Sequence, residues 1–165
     1  MRRYVTEIKG KHGMIEDFGL PQTPQLIADE TARRLTAPRY LTGIKRYSLL
    51  VWALPEGLKH IDDVPRFSPA RATYIQCGGS TEAMTIEIRV THDDGSYEQY
   101  TVAREPVTDP EAWTTVSWDN GNPEPYTIQV HPQEVFTGEQ AAPVFRAYIE
   151  DNALPPADLL RRIDV

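Results

Sequence analysis

The side chains best suited to chemistry in this chain are one thiol, two pairs of adjacent carboxylates and four separated imidazoles. Cys77 precedes Gly78-Gly79, a setting that could present a nucleophile at a tight turn. A thiol attacks only as the thiolate, which needs an imidazole or cation beside it, and the sequence places no such neighbour. The other reading is a small buried hydrophobe next to a turn or bulge. Asp62-Asp63 and Asp93-Asp94 invite a metal or acid–base role. Neighbouring side chains diverge, however, and lack a converging third ligand, so turn and solvating roles fit them better. His12, His60, His92 and His131 are isolated, without the paired spacing of a zinc site. No glycine-rich phosphate cradle or nucleophile elbow is present. The residues imply no metal and no cofactor, and they favour a binding protein over an enzyme.

Aromatic residues can anchor contacts instead. Trp113 and Trp118 are separated by an odd number of positions, so in an unbulged strand they point to opposite faces. One of them is then exposed or under a loop, and an exposed Trp beside Glu111 and Asp119 would serve as an anchor in negative surroundings.

Composition narrows the class. At 165 residues the chain has the size of one domain, able to bury a core without disulfides. Its single cysteine excludes an internal disulfide. The first residues lack the apolar run of a signal peptide, which points to the cytoplasm. No window approaches the ~18 apolar residues of a membrane helix. The net charge of −7 is unevenly shared: residues 1–46 carry nine basic and five acidic groups, net +4, and residues 47–165 carry eight and nineteen, net −11. An acidic body disfavours nucleic acid and attracts basic partners, although a solvated acidic surface also simply favours solubility. We therefore divide the one domain into a basic segment with a helix, 1–46, and an acidic sheet-plus-helix body, 47–165.

The elements that must position these groups are short. Thr23-Pro24 has the form of an N-cap and first helical proline, predicting a helix to about Leu35, before Pro38. Tyr47 to Leu54 and Thr73 to Cys77 read as strands, and the proline-containing stretch from Glu56 to Ala70 as a loop. In Glu82 to Arg104, Met84, Ile86, Ile88 and Val90 alternate with polar residues, the period of a strand with one buried face. A three-residue Asp93-Asp94-Gly95 loop sets His92 opposite Ser96 and Ile88 opposite Tyr100, so that apolar residues share a face, whereas a two-residue loop would split them. Trp113 to Trp118 and Tyr126 to Val130 add two strands. Thr137 with Gln140 has the form of a capping box, opening a helix to about Asn152 whose stripe is Ala141, Val144, Phe145, Tyr148 and Ile149. Pro143 suggests a later start or a bend. The fold class is α+β: an antiparallel meander of about six strands, with an N-terminal helix and a C-terminal amphipathic helix packed on one face.

The run from Val135 to Pro155, with Thr137, Ala141, Ala142, Phe145, Tyr148 and Pro155 as the matching positions, resembles the ending of small immunity proteins of bacterial polymorphic toxin systems. That family includes the immunity partner of the double-stranded-DNA cytosine deaminase toxin. The resemblance implies strands, then a helix with an alanine-rich aromatic stripe, a proline after it and a short final strand. It also implies a cognate toxin as partner, bound and occluded without turnover.

Three functions therefore compete: an immunity protein for a basic toxin domain, a ligand-binding or enzymatic domain with a pocket near Cys77, His92 and the tyrosines, and a regulatory or structural subunit using Arg2, Arg3, Lys9 and Lys11 as a basic arm. For the first, the uncovered sheet face would comprise Glu87, Arg89, Tyr97, Gln99 and Thr101, with Trp113 or Trp118 and Asp119 nearby. The sequence leaves the oligomeric state open.

Overall fold

The computed structural model describes residues 2–17 and 22–165. The basic N-terminal segment opens not with an arm but with a hairpin, β1 (Tyr4–Gly10) and β2 (Gly13–Asp17), turning at Lys11-His12 with Gly13 at a φ of 114°, a region that glycine enters without strain. Lys9 and Lys11 therefore belong to the sheet and its turn. α1 (Pro24–Thr36) follows, then β3 (Arg46–Ala53), β4 (Tyr74–Gly79), β5 (Met84–Thr91), β6 (Tyr97–Val102), β7 (Thr114–Trp118), β8 (Tyr126–Val130), α2 (Gly138–Asp151) and β9 (Leu160–Ile163).

Seven strands form one antiparallel sheet in the order β2-β1-β3-β4-β5-β6-β9. The α+β class and antiparallel pairing are as expected; the meander is longer than six strands because β1, β2 and β9 extend it at both ends. β7 and β8 leave it and pair only with each other. The central hairpin has the expected register. Ile88 faces Tyr100, the His92 amide donates to the Ser96 carbonyl at 2.8 Å, and Gly95 has a φ of 86°.

Both helices cover one face. Thr23 caps α1, its hydroxyl accepting from the Leu26 amide at 3.2 Å, and the extended Ala37 before Pro38 ends it. The capping box of α2 closes in both directions: Gln140 Oε1 accepts from the Thr137 amide at 2.9 Å, and Thr137 Oγ1 accepts from the Gln140 amide at 3.3 Å. The helix begins at Gly138 and runs through Pro143. Glycine at its first position is a packing requirement, since a Cβ there would lie 1.8 Å from the Leu35 carbonyl oxygen of α1. Arg146 ties the helices together by pairing with Asp29 at 2.7 Å. Ala28 and Leu35 from α1, and Ala141, Phe145, Tyr148 and Ile149 from α2, bury against Leu49, Val51, Ile75, Cys77, Ile86, Ile88 and Val102 of the sheet. Tyr100 and Val144, also expected in this core, are half-buried.

The other face is divided. At one end Val5, Leu50 and Trp52 form a second apolar cluster with Leu54 and Val64, so the proline-containing loop is a lid on the sheet and not a free excursion. Arg71 holds that lid by donating to the carbonyls of Ile61 and Val64 and by lying 5.2 Å from the Trp52 ring centroid. At the other end the β7–β8 hairpin rests on β4, Trp118 occupying the space that a side chain at residue 78 would fill.

Candidate binding face

Between lid and hairpin, the face opposite the helices is polar. Strand alternation places Glu7, Gln76, Glu87, Thr101 and Arg161 on it in one cross-strand row, interrupted by Leu50. The adjoining row runs Trp52, Tyr74, Arg89, Gln99. Side chains from three strands are bonded together here. Glu87 Oε2 accepts from Gln76 Nε2 at 3.0 Å and from Gln99 Nε2 at 2.7 Å. Gln99 Oε1 accepts from Arg89 Nε at 2.7 Å. A carboxylate receiving two amide donors fixes both glutamines, and Gln99 in turn fixes the arginine.

Of the expected face residues, Glu87, Arg89, Tyr97, Gln99 and Thr101 do share one side of the sheet, but not all are uncovered. Gln99 is buried beneath its partners, and Thr101 is 1% exposed with a hydroxyl that has no partner among the described residues. Tyr97, at 38% exposure, is the most accessible of the five. Glu7 and Glu16 face each other across β1 and β2. Burial first, and then the repulsion from Glu16, raises the Glu7 carboxyl above its ordinary value.

Trp118 ends β7, whereas Trp113 lies just before the strand, so strand alternation does not set the relation between them. Trp118 is half-buried on Gly78 and near Tyr126, with ring centroids 4.7 Å apart. Together with Lys9, Ser48, Gln76 and Glu87 they line a pocket of about 180 Å³. Trp113 is 49% exposed and stacked on His131 at 3.9 Å. Asp119, half-buried, accepts from the Gly121 amide through Oδ1 at 2.9 Å, so its carboxylate shapes the β7–β8 turn.

The residues read first for chemistry take structural places. Cys77 is buried in the helix-side core, and burial pushes its thiol up to about 12, the opposite of activation. Asp94 accepts from the Ser96 amide and hydroxyl at 2.9 and 2.6 Å, bonds that lower its carboxyl. His92 pairs with Glu98 at 3.3 Å. His131 Nδ1 lies 2.8 Å from the Ala112 carbonyl. No group of three possible metal ligands occurs among the described residues.

One cluster escaped the sequence reading. Glu134 is fully buried and gripped by Arg161, Nε to Oε2 at 2.8 Å and Nη2 to Oε1 at 3.0 Å, while Oε1 also accepts from the His131 amide at 2.7 Å. The Arg161 guanidinium lies 5.4 Å from the Trp113 ring centroid. The only signal for it was the alternation of Leu160 and Arg161 in the last strand.

Comparison of the chain with family models, with curated proteins and with solved structures returns no match.

Proposed function

We propose that this chain is a cytoplasmic immunity protein, binding a cognate and basic toxin domain through the face opposite the helices and occluding it without turnover. The observation that carries this reading is the pairing of exposed aromatics with held arginines on a rigid sheet: Tyr97 with Arg89 at 4.2 Å and Trp113 with Arg161 at 5.4 Å. Trp, Tyr and Arg are the side chains that dominate protein–protein binding energy, and they act best when pre-positioned. The immunity-like ending from Val135 to Pro155 and the net charge of −11 after residue 46 support a basic partner, whose approach an acidic surface would accelerate. No helix among the described residues is long and apolar enough to cross a membrane.

Co-expression with the product of the adjacent open reading frame tests the proposal. The expected outcome is suppression of that product's toxicity and a stoichiometric complex that survives purification at moderate salt. Charge reversal at Glu111, exposed beside Trp113, should then slow association and flatten its salt dependence, and Trp113→Ala should speed dissociation. A non-toxic neighbour, or no complex, would end the immunity reading.

A second reading has its own observation. A pocket of about 650 Å³ opens where Arg3 meets the turn at Pro55–Lys59, lined also by Ala70, Thr73 and Asp93. That is the volume of a small-ligand site. Three cations, Arg2, Arg3 and Lys59, face two acids, Glu56 and Asp93, around it, a balance that leans toward an anionic ligand. Stabilisation of the protein by one member of a metabolite set, lost on Lys59→Glu, would favour this alternative.

A further inference from the structure

Arg89 differs from Arg161 in the last strand and Arg71 in the lid in what its side chain leaves unused. The guanidinium of Arg161 is spent on Glu134, and that of Arg71 on two carbonyls and Glu16. Arg89 donates only through Nε, to Gln99 Oε1 at 2.7 Å. Among the described residues neither of its terminal nitrogens has a hydrogen-bond or ion-pair partner.

Yet the group is not loose. Gln99 is buried and anchored to Glu87, which is anchored to Gln76, so the acceptor that orients Arg89 is itself fixed from two strands away. The guanidinium carbon stands 4.2 Å from the Tyr97 ring centroid and 5.8 Å from that of Tyr74, contacts that favour a cation over a ring face. Side-chain entropy, the usual cost of recruiting an arginine to an interface, has here been removed in advance.

We propose that the terminal nitrogens of Arg89 are a receptor for one carboxylate, presented by an Asp or Glu of the protein partner, with Tyr97 and Tyr74 as its flanking walls. This rests on the reading that the face binds a protein, and it names the chemistry of the contact. A planar fork of two N–H groups matches a carboxylate in a bidentate pair. A phosphate dianion fits less well, because Glu87 sits in the same network and Lys9, the lysine that strand alternation puts on this face, lies across β3 and β4 and four positions further along the strands. The acidic protein thus meets its basic partner with one contact of reversed sign at the centre of the face. Such a reversal rejects basic surfaces that lack the matching acid.

The test has two arms. In the first, the Nε–Hε signal of Arg89 in the 15N-labelled protein, identified by its loss in Arg89→Lys, is followed during titration with acetate, phosphate or chloride at constant ionic strength. A saturable shift with acetate, and a weaker one with phosphate, is expected. A shift no larger than that from chloride, or tighter saturation by phosphate, would overturn the proposal. In the second arm, Arg89→Lys keeps the charge and loses the fork. It should weaken binding of the adjacent gene product about tenfold or more, with an unchanged circular dichroism spectrum and with Arg162→Lys behaving as the wild type. Wild-type binding by Arg89→Lys would refute the carboxylate receptor while leaving the immunity reading intact. Failure of the wild-type protein to bind would end the immunity reading, and the acetate titration would still decide the role of Arg89.

Discussion

Arg161 closes a two-toothed grip on the carboxylate of Glu134, at 2.8 and 3.0 Å, and so fastens the last strand to the turn that precedes α2. Because Glu134 is fully buried, removing its partner leaves a charge with nowhere to be solvated. Arg161→Ala should destabilise the fold by about 3 kcal/mol, at the low end for breaking a buried pair because Arg161 is partly exposed. The double variant Glu134→Gln/Arg161→Met should recover most of that loss. Urea denaturation of the three proteins checks both statements.

Phe145 is the centre of the α2 stripe and is buried against the sheet. Phe145→Ala should cost about 3 to 5 kcal/mol, the sum of lost transfer energy and an unfilled cavity. Thermal unfolding measures this, and a shift no greater than that of a surface substitution would mean that α2 does not rest on the sheet as described.

Gly78 makes room for the β7–β8 hairpin. A Cβ at residue 78 would stand 2.8 Å from Cη2 of Trp118, the far end of a side chain that can swing away. Gly78→Ala should therefore cost only about 1 kcal/mol but expose Trp118, shifting tryptophan emission to longer wavelength. Gly78→Ala in a Trp118→Phe background should show no such shift.

The raised carboxyl of Glu7 carries a pH signature. In the folded state it holds its proton more tightly than in the unfolded chain, so ionisation opposes folding, and stability falls as pH rises through the folded pKa. Glu7→Gln should consequently be more stable than the wild type at neutral pH. The advantage should disappear as pH is lowered through the folded pKa toward the ordinary carboxylate value of 4.5. Denaturation curves at neutral and acid pH compare the two.

Local patterns announced the parts of this fold that local forces specify. The β5–β6 register followed from the alternation of Met84 to Val90 and from one glycine, Gly95, because a shift by one residue would have turned every apolar group outward. The caps at Thr23 and Thr137 were readable for the same reason. β1 was not, since Tyr4, Val5 and Thr6 are buried on both faces and show no alternation; the cue that was present is Gly13 after Lys11-His12. Nor could spacing reveal that β7 and β8 desert the main sheet and pair only with each other, because strand patterning does not name a strand's partner. On the candidate face, alternation put Glu87, Arg89, Tyr97, Gln99 and Thr101 on one side. What it could not convey was the depth of each, or that Glu134 would reach Arg161 across 27 positions.

The hydroxyl of Tyr4 donates to the carbonyl of Ile149 at 2.6 Å, across 145 positions. During synthesis the strand that holds Tyr4 leaves the ribosome long before its partner helix exists, and the long-range closure between them is entropically slow. Until α2 is made, the part of the apolar side of β1, β3 and β4 that α1 does not cover stays open on the nascent chain, a surface prone to association. The last helix is thus also the piece that brings this chain's vulnerable interval to a close.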